Sequence, residues 1–315
     1  MKTFDVLDGG PAVSNIILGM MRINETSADQ LKELFAAARE VGINTFDHAD
    51  SYVNTPHECE HIFGSVLQLA SSEREKIVLQ SKVGIRKDDD GSNGYFDFSR
   101  DHIIQSATDS VRALGTDYLD LLLLHRPDTL VEPDEVAEAF DHLHSSGMVR
   151  NFGVSNHAPQ QIELLKSVVR QPLKVDQVQL SVAHASLFSS GLAVNMAGLG
   201  QSANRDNGLL DYSRLNGVTL QAWSPFQTGF FGGPFVGDQV NYGPLNKELN
   251  RLSDKYGVTP SGIAVAWITR HPANIQVVLG TTNPRRVVDS GAGSDIPLTR
   301  QEWYGIFVAA GHTLP

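Results

Sequence analysis

The chain has 315 residues, 41% of them hydrophobic and 19% charged, which suits a large packed core and excludes a disordered or fibrous chain. Thirty-six acidic against 25 basic residues give a net charge of −11, which argues against general nucleic-acid binding, since that needs clustered positive charge. The single cysteine, Cys59, excludes an intramolecular disulfide and a cysteine-rich metal site, and no leader-like or membrane-length apolar run is present, so the expectation is a reduced, soluble, cytoplasmic protein.

Phe4 to Leu7 and Ala12 to Ser14, around Gly9-Gly10-Pro11, predict a β-hairpin, and Ile16 to Gly19 predicts the first core strand. The pattern Ser27-x-x-Gln30 is a capping box. It opens a helix carrying Leu31, Leu34, Phe35, Ala38 and Val41, which stops at Gly42. Strands are then expected at Ile43 to Asp47, Ile77 to Lys82, Tyr118 to Leu124 and Val149 to Val154. Helices separate them: one at about 57–70, one with Ile103, Ala107, Val111 and Leu114 before Gly115, and one from Pro133 to near Gly147. Pro159 opens another helix. Further strands are read at 175–180, 218–223 and 275–279, each followed by helix, with helix starts at Thr259-Pro260 and at a second capping box, Thr299-x-x-Glu302.

Eight strand–helix units without a linker predict an α/β chain with a parallel sheet, closed into a single (β/α)8 TIM barrel over residues 1–315. A doubly wound open sheet is the alternative. The N-terminal hairpin would plug the barrel's bottom. Long irregular stretches at 86–98, 184–208 and 224–243 each follow a strand and would crowd the C-terminal face, where barrel active sites are built.

Two patterns are decoys. His57-Glu58-Cys59-Glu60-His61 matches H-E-x-x-H, but Leu67 stands where the longer zinc pattern has its third histidine, so no metal is expected. Gly198 to Ala203 matches G-x-G-x-x-A without a convincing strand before it, and reads as a loop.

Polar groups fall at strand ends: Asp47, Lys82, His125, Ser155-Asn156, Gln177 and Trp223-Ser224. In an open sheet most would lie far apart; in a barrel they share one mouth. Singly each has a plain alternative: a turn cap for Asp47, a core histidine for His125, a half-buried ring for Tyr52. Together they suit proton transfer to an oxygen. An ammonium at Lys82 would favour phenolate and lower the Tyr52 pKa, Asp47 would hold the lysine charged, and neutral His125 could donate a hydrogen bond to the same oxygen. A hydride donor must come from a cofactor.

The runs Phe46-Asp47-His48-Ala49-Asp50-Ser51-Tyr52, Ser81-Lys82-Val83-Gly84, Leu123-Leu124-His125-Arg126-Pro127, Gly153-Val154-Ser155-Asn156 and Ala222-Trp223-Ser224-Pro225 resemble the aldo-keto reductase superfamily. His48-Ala49-Asp50 and His125-Arg126-Pro127-Asp128 are most similar to its bacterial YdhF-like oxidoreductase branch. The resemblance implies a barrel binding NADP(H) across its C-terminal face and the tetrad Asp47, Tyr52, Lys82 and His125, with Tyr52 as general acid. It implies that Ser155, Asn156 and Gln177 bond the nicotinamide carboxamide and that Trp223, beside Ser224, stacks on the ring. In the segment Gly280 to Asp289 it implies phosphate contacts from Thr281, Thr282 and Arg286, and Asp289 near the adenine. Gly280 and Ser290 depart from the lysine and asparagine common there. Glu60 and Gly64 fit a Glu-x-x-x-Gly helix pattern of the family. The implied reaction is NADPH-dependent reduction of aldehydes or ketones, with no nucleic-acid, membrane or obligate protein partner. A non-catalytic cofactor-binding subunit and a Schiff-base aldolase using Lys82 are the alternatives. Substrate choice lies in the three long loops, where Phe188, Phe226, Phe230 and Phe231 are candidates for an apolar pocket or for core packing.

Overall fold

The computed structural model describes residues 1–88, 91, 94–230 and 232–315. Eight parallel strands, Ile16–Gly19, Thr45–Asp47, Val78–Val83, Leu121–Leu124, Phe152–Ser155, Leu173–Gln179, Thr219–Trp223 and Gln276–Leu279, form a closed barrel in sequence order. The last strand pairs with the first through Val277 and Ile16. Several strands are shorter than their apolar runs: Ile43 and Ile77 are buried ahead of the paired segments, and Leu119 and Val149 pair with each other only as an isolated parallel bridge.

Helices close over the outside. Both capping boxes form: Ser27 with Gln30 opens Ala28–Glu40, and Thr299 with Glu302 opens Arg300–Ala309. Proline starts four helices, Pro133–Ser145, Pro159–Lys166, Pro260–Thr269 and Pro284–Gly291, where a missing N–H costs no hydrogen bond. Gly64, in the helix Glu58–Leu67, permits the close approach of Arg100–Leu114: a Cβ there would lie 2.4 Å from the Ala113 carbonyl oxygen. Gly153 does similar work inside the barrel, where a Cβ would stand 2.8 Å from both Leu123 and Val175 side chains.

The N-terminal hairpin pairs Thr3–Phe4 with Val13–Ser14, and Val6 and Leu7 pack on the barrel residues Leu121, Leu123 and Val175. The loops expected to be irregular carry more structure than their composition suggests. The 86–98 stretch holds an antiparallel ribbon, Ile85–Lys87 with Gly94–Phe96. The 184–208 stretch holds the helix Ser186–Leu192 and a 3-10 turn at Gly200–Ser202, so the G-x-G-x-x-A stretch follows a helix, not a strand. Phe188 faces away from the mouth: it stacks on His271 at 4.8 Å and meets Trp267 and Trp303 edge-on, which makes it a core residue. Phe231 lies outside the described residues. Among the described residues no helix is long and apolar enough to cross a membrane.

Candidate active site

The strand register sets the centre of the site. Asp47 pairs with Gln80 across neighbouring strands, and Lys82 follows two residues later on the same face. Asp47 and Lys82 are each 1% exposed. Lys82 Nζ donates to both Asp47 oxygens, at 2.6 and 2.7 Å, to the His48 carbonyl at 2.9 Å and to the Tyr52 hydroxyl at 2.7 Å. The Asp47 carboxylate and the two neutral oxygens compensate an ammonium here for leaving water. The phenol of Tyr52 donates in turn to Asp47 Oδ2 at 2.9 Å.

Tyr52 is brought over the barrel by a constrained loop. Val53, the next residue, has φ 66° and His57 has φ 60°. A β-branched residue in that region costs about 1–3 kcal/mol and needs its surroundings to hold it. The loop is tied down by backbone bonds from Asp50 to the Lys82 carbonyl and from His57 to the Asp50 carbonyl, at 3.1 and 2.7 Å. Behind it, buried Glu60 accepts from Ser81 Oγ and meets His57 Nδ1 at 2.6 Å, while His61 is exposed. The histidine of the zinc-like pattern thus braces the loop.

One electrostatic expectation is overturned. The Tyr52 pKa is not lowered by Lys82; burial first, then the adjacent Asp47 carboxylate, hold it well above the ordinary phenol value. Burial also lowers the Lys82 pKa, against the pull of Asp47. His125 is driven far below the ordinary imidazole value by burial, then by Lys82 and Arg126, so its ring is neutral at pH 7. Its Nδ1 lies 3.3 Å from Ser51 Oγ, and its ring stands edge-on to Tyr52 with centroids 6.2 Å apart.

The next strand ends form one connected chain. Trp223 Nε1 donates to Asn156 Oδ1 at 3.0 Å, Asn156 Nδ2 donates to Ser155 Oγ at 2.8 Å, and Ser155 Oγ donates to the Gln177 carbonyl at 2.8 Å. Asn156 and Ser224 both take positive φ, 61° and 53°, at the turns that leave their strands. Gln177 Nε2 donates to Asp47 Oδ1 and to Gln221 Oε1, each at 3.1 Å. Its Oε1 accepts no hydrogen bond among the described residues. Gln177, Gln221 and Gln276 share a register row on three adjacent strands, and Gln80 joins them through Gln221 and Asp47. This buried amide layer beneath Asp47 escaped the sequence reading. Its signal was a lone glutamine recurring in otherwise apolar strands.

At the eighth strand's end, Asn283 Oδ1 caps the helix Pro284–Gly291 by accepting from the Arg285 and Arg286 amides. Asn283 N donates to Thr281 Oγ1 at 3.2 Å. Gly280 and Arg286 are exposed, while Thr281, Thr282 and Asp289 are half-buried. Among the described residues Arg286 makes no side-chain hydrogen bond or ion pair. An open acceptor at Gln177, an indole fixed by its N–H and an unengaged guanidinium at a helix start fit the amide, ring and phosphate of a nicotinamide dinucleotide. Among the described residues no group of three His, Cys, Asp or Glu side chains is placed to hold a metal.

Residues 15–306 match the profile of the Aldo/keto reductase family. The chain is 35% identical to "Oxidoreductase YdhF" of Escherichia coli strain K12, over 97% of each chain. It is 33% identical to "6-dehydroglucose reductase" of Agrobacterium fabrum, over 95% of this chain and 94% of the relative. The solved structure of the thermostable aldo-keto reductase Tm1743 with the inhibitor epalrestat superposes with a TM-score of 0.76 at 22% identity, covering 98% of this chain and all of that one. The chain belongs to the aldo/keto reductase family, a family of oxidoreductases.

Proposed function

We propose that this member of the aldo/keto reductase family reduces aldehydes or ketones to alcohols with NADPH, and that Tyr52 is the proton donor. The observation that carries this reading is the Asp47–Lys82–Tyr52 cluster: a protonated phenol whose oxygen is already bonded to an ammonium at 2.7 Å. When bound, the nicotinamide supplies a hydride from C4 to the carbonyl carbon. The chain's own residues supply the rest.

Tyr52 stays protonated through neutral pH because burial and Asp47 raise its pKa, which is the form that reduction requires. As the carbonyl oxygen gains negative charge it takes the phenol proton. Lys82 Nζ, already in contact, stabilises the phenolate left behind, and solvent then restores the proton. One hydride and one proton would thus add across the C=O bond, giving the alcohol. Neutral His125 orients the oxygen as a hydrogen-bond donor. Ser155, Asn156 and the open Gln177 Oε1 hold the carboxamide, Trp223 supports the ring beside Ser224, and Gly280, Thr281, Thr282, Arg286 and Asp289 hold the adenosine phosphate end. Fixing both reactants in line supplies much of the rate gain.

The test is Tyr52→Phe, assayed by NADPH absorbance with 4-nitrobenzaldehyde. Turnover is expected to fall roughly 10²- to 10⁴-fold, the range for loss of a general acid, while NADPH still binds by fluorescence titration. Undiminished turnover in that variant would refute the proton assignment.

A further inference from the structure

Arg126 stands beside His125 at the mouth, on the turn that leaves the fourth strand. It is half-buried. Its guanidinium carbon lies 5.8 Å from the Trp223 ring centroid and 5.7 Å from that of Phe230. These rings offer a cation favourable faces, but no hydrogen-bond acceptor in the plane of its five N–H groups. The nearest carboxylate in sequence, Asp128, is committed elsewhere: Oδ2 accepts from the Phe98 amide at 3.1 Å and Oδ1 from the Leu130 amide at 2.8 Å. Pro127 between the two stiffens this separation. Among the described residues Arg126 makes no hydrogen bond and no ion pair. Other arginines withdrawn from water each bond a protein oxygen: buried Arg74 meets Asp120 at 2.7 Å, and half-buried Arg39, Arg100 and Arg270 donate to the Ile43 carbonyl at 3.1 Å, to Asp101 at 2.7 Å and to the Leu298 carbonyl at 2.7 Å.

A partly desolvated guanidinium without an acceptor is costly unless something arrives to satisfy it. An oxyanion does so with two parallel charge-assisted bonds, a geometry lysine cannot match. The chain's net charge of −11 repels anions at long range, so any preference for them must be built locally. Arg126 is a local device of that kind, on the residue after the one facing the carbonyl oxygen.

We infer that Arg126 is a substrate-recognition residue and that the preferred substrates are carbonyl compounds carrying an oxyanion, a carboxylate or a phosphate, away from the reacting carbon. The inference rests on the reductase reading above and adds a substrate class to it.

The test compares 4-formylbenzoate and 4-formylphenyl phosphate with the neutral methyl 4-formylbenzoate and D-glyceraldehyde, using NADPH and three proteins: wild type, Arg126→Met and Arg126→Lys. In wild type at least one anionic aldehyde is expected to exceed both neutral ones in kcat/KM, and the better anion tells carboxylate from phosphate. Arg126→Met should lower that anionic-to-neutral ratio roughly 10- to 100-fold, the worth of a charged hydrogen-bond pair, mainly through KM. Arg126→Lys should recover part of it. Binding of benzoate or phenyl phosphate, followed by tryptophan fluorescence with NADP⁺ present, judges the arginine without turnover and should weaken in Arg126→Met. Three results overturn the inference: an anionic-to-neutral ratio unaffected by Arg126→Met, a preference for neutral glyceraldehyde, or a loss of NADPH affinity in Arg126→Met as large as the loss for the anion. If no aldehyde is reduced by wild type, the reductase reading fails, and anion binding still decides the role of Arg126.

Discussion

The two halves of the barrel mouth are built on opposite plans. Asp47 and Lys82 are buried, Tyr52 is half-buried, and the three bond one another, while the amide layer of Gln80, Gln177, Gln221 and Gln276 supports them from below. Around Gly280 to Asp289 the order lies in the backbone and one cap, and Arg286 projects into solvent. The difference follows from what each half has to do. Proton transfer needs donors fixed before the reaction, since reorganising them during it raises the barrier. Holding a phosphate needs cations that are free until the anion arrives.

Lys82→Met is the harshest way to break this contrast. It leaves Asp47 buried without its cation, so it should cost about 3–5 kcal/mol of stability, measured by urea unfolding. It should also lower turnover roughly 10²- to 10⁴-fold. Stability close to wild type would mean that the buried half is less tightly coupled than its distances imply.

Arg286→Ala should act on binding alone. NADPH affinity is expected to fall roughly 10- to 100-fold, as for loss of a charged contact, with NADH affinity little changed and urea stability retained. Equal weakening of both dinucleotides would remove the 2′-phosphate from its role.

The smallest effect expected is that of pH. Burial keeps the His125 ring deprotonated and keeps the Tyr52 phenol protonated. Raising pH therefore removes no proton from His125 near its ordinary value and removes the acid only above the ordinary phenol range. Reduction should be flat from about pH 6 to about pH 9. Oxidation of an alcohol, which needs the phenolate, should rise with pH as reduction falls. A limb near the ordinary imidazole value, lost in His125→Asn, would show that the histidine titrates.

Much of this was legible in the residues. Apolar runs of strand length, proline and capping-box starts and glycine stops marked eight strand–helix units, and polar residues at their ends marked one mouth. What resisted reading depended on neighbours distant in sequence. Phe188 could be read as a pocket residue or as core because its loop leaves the mouth, and its ring packs among His271, Trp267 and Trp303. The ribbon at 85–96 pairs residues across a stretch too polar and glycine-rich to announce it. Gln80, Gln221 and Gln276 were passed over and Gln177 was read only as a carboxamide contact, since only strand register shows that three glutamines share a row.

The sequence by itself determined the barrel and the chemical inventory of its mouth, because hydrophobic period and side-chain type act locally along the chain. Tertiary structure decided the state of that inventory. Whether Lys82 or Asp47 governs the Tyr52 proton, and whether Arg126 finds an internal carboxylate, depends on distances of a few ångströms and on the exclusion of water. Only packing sets those.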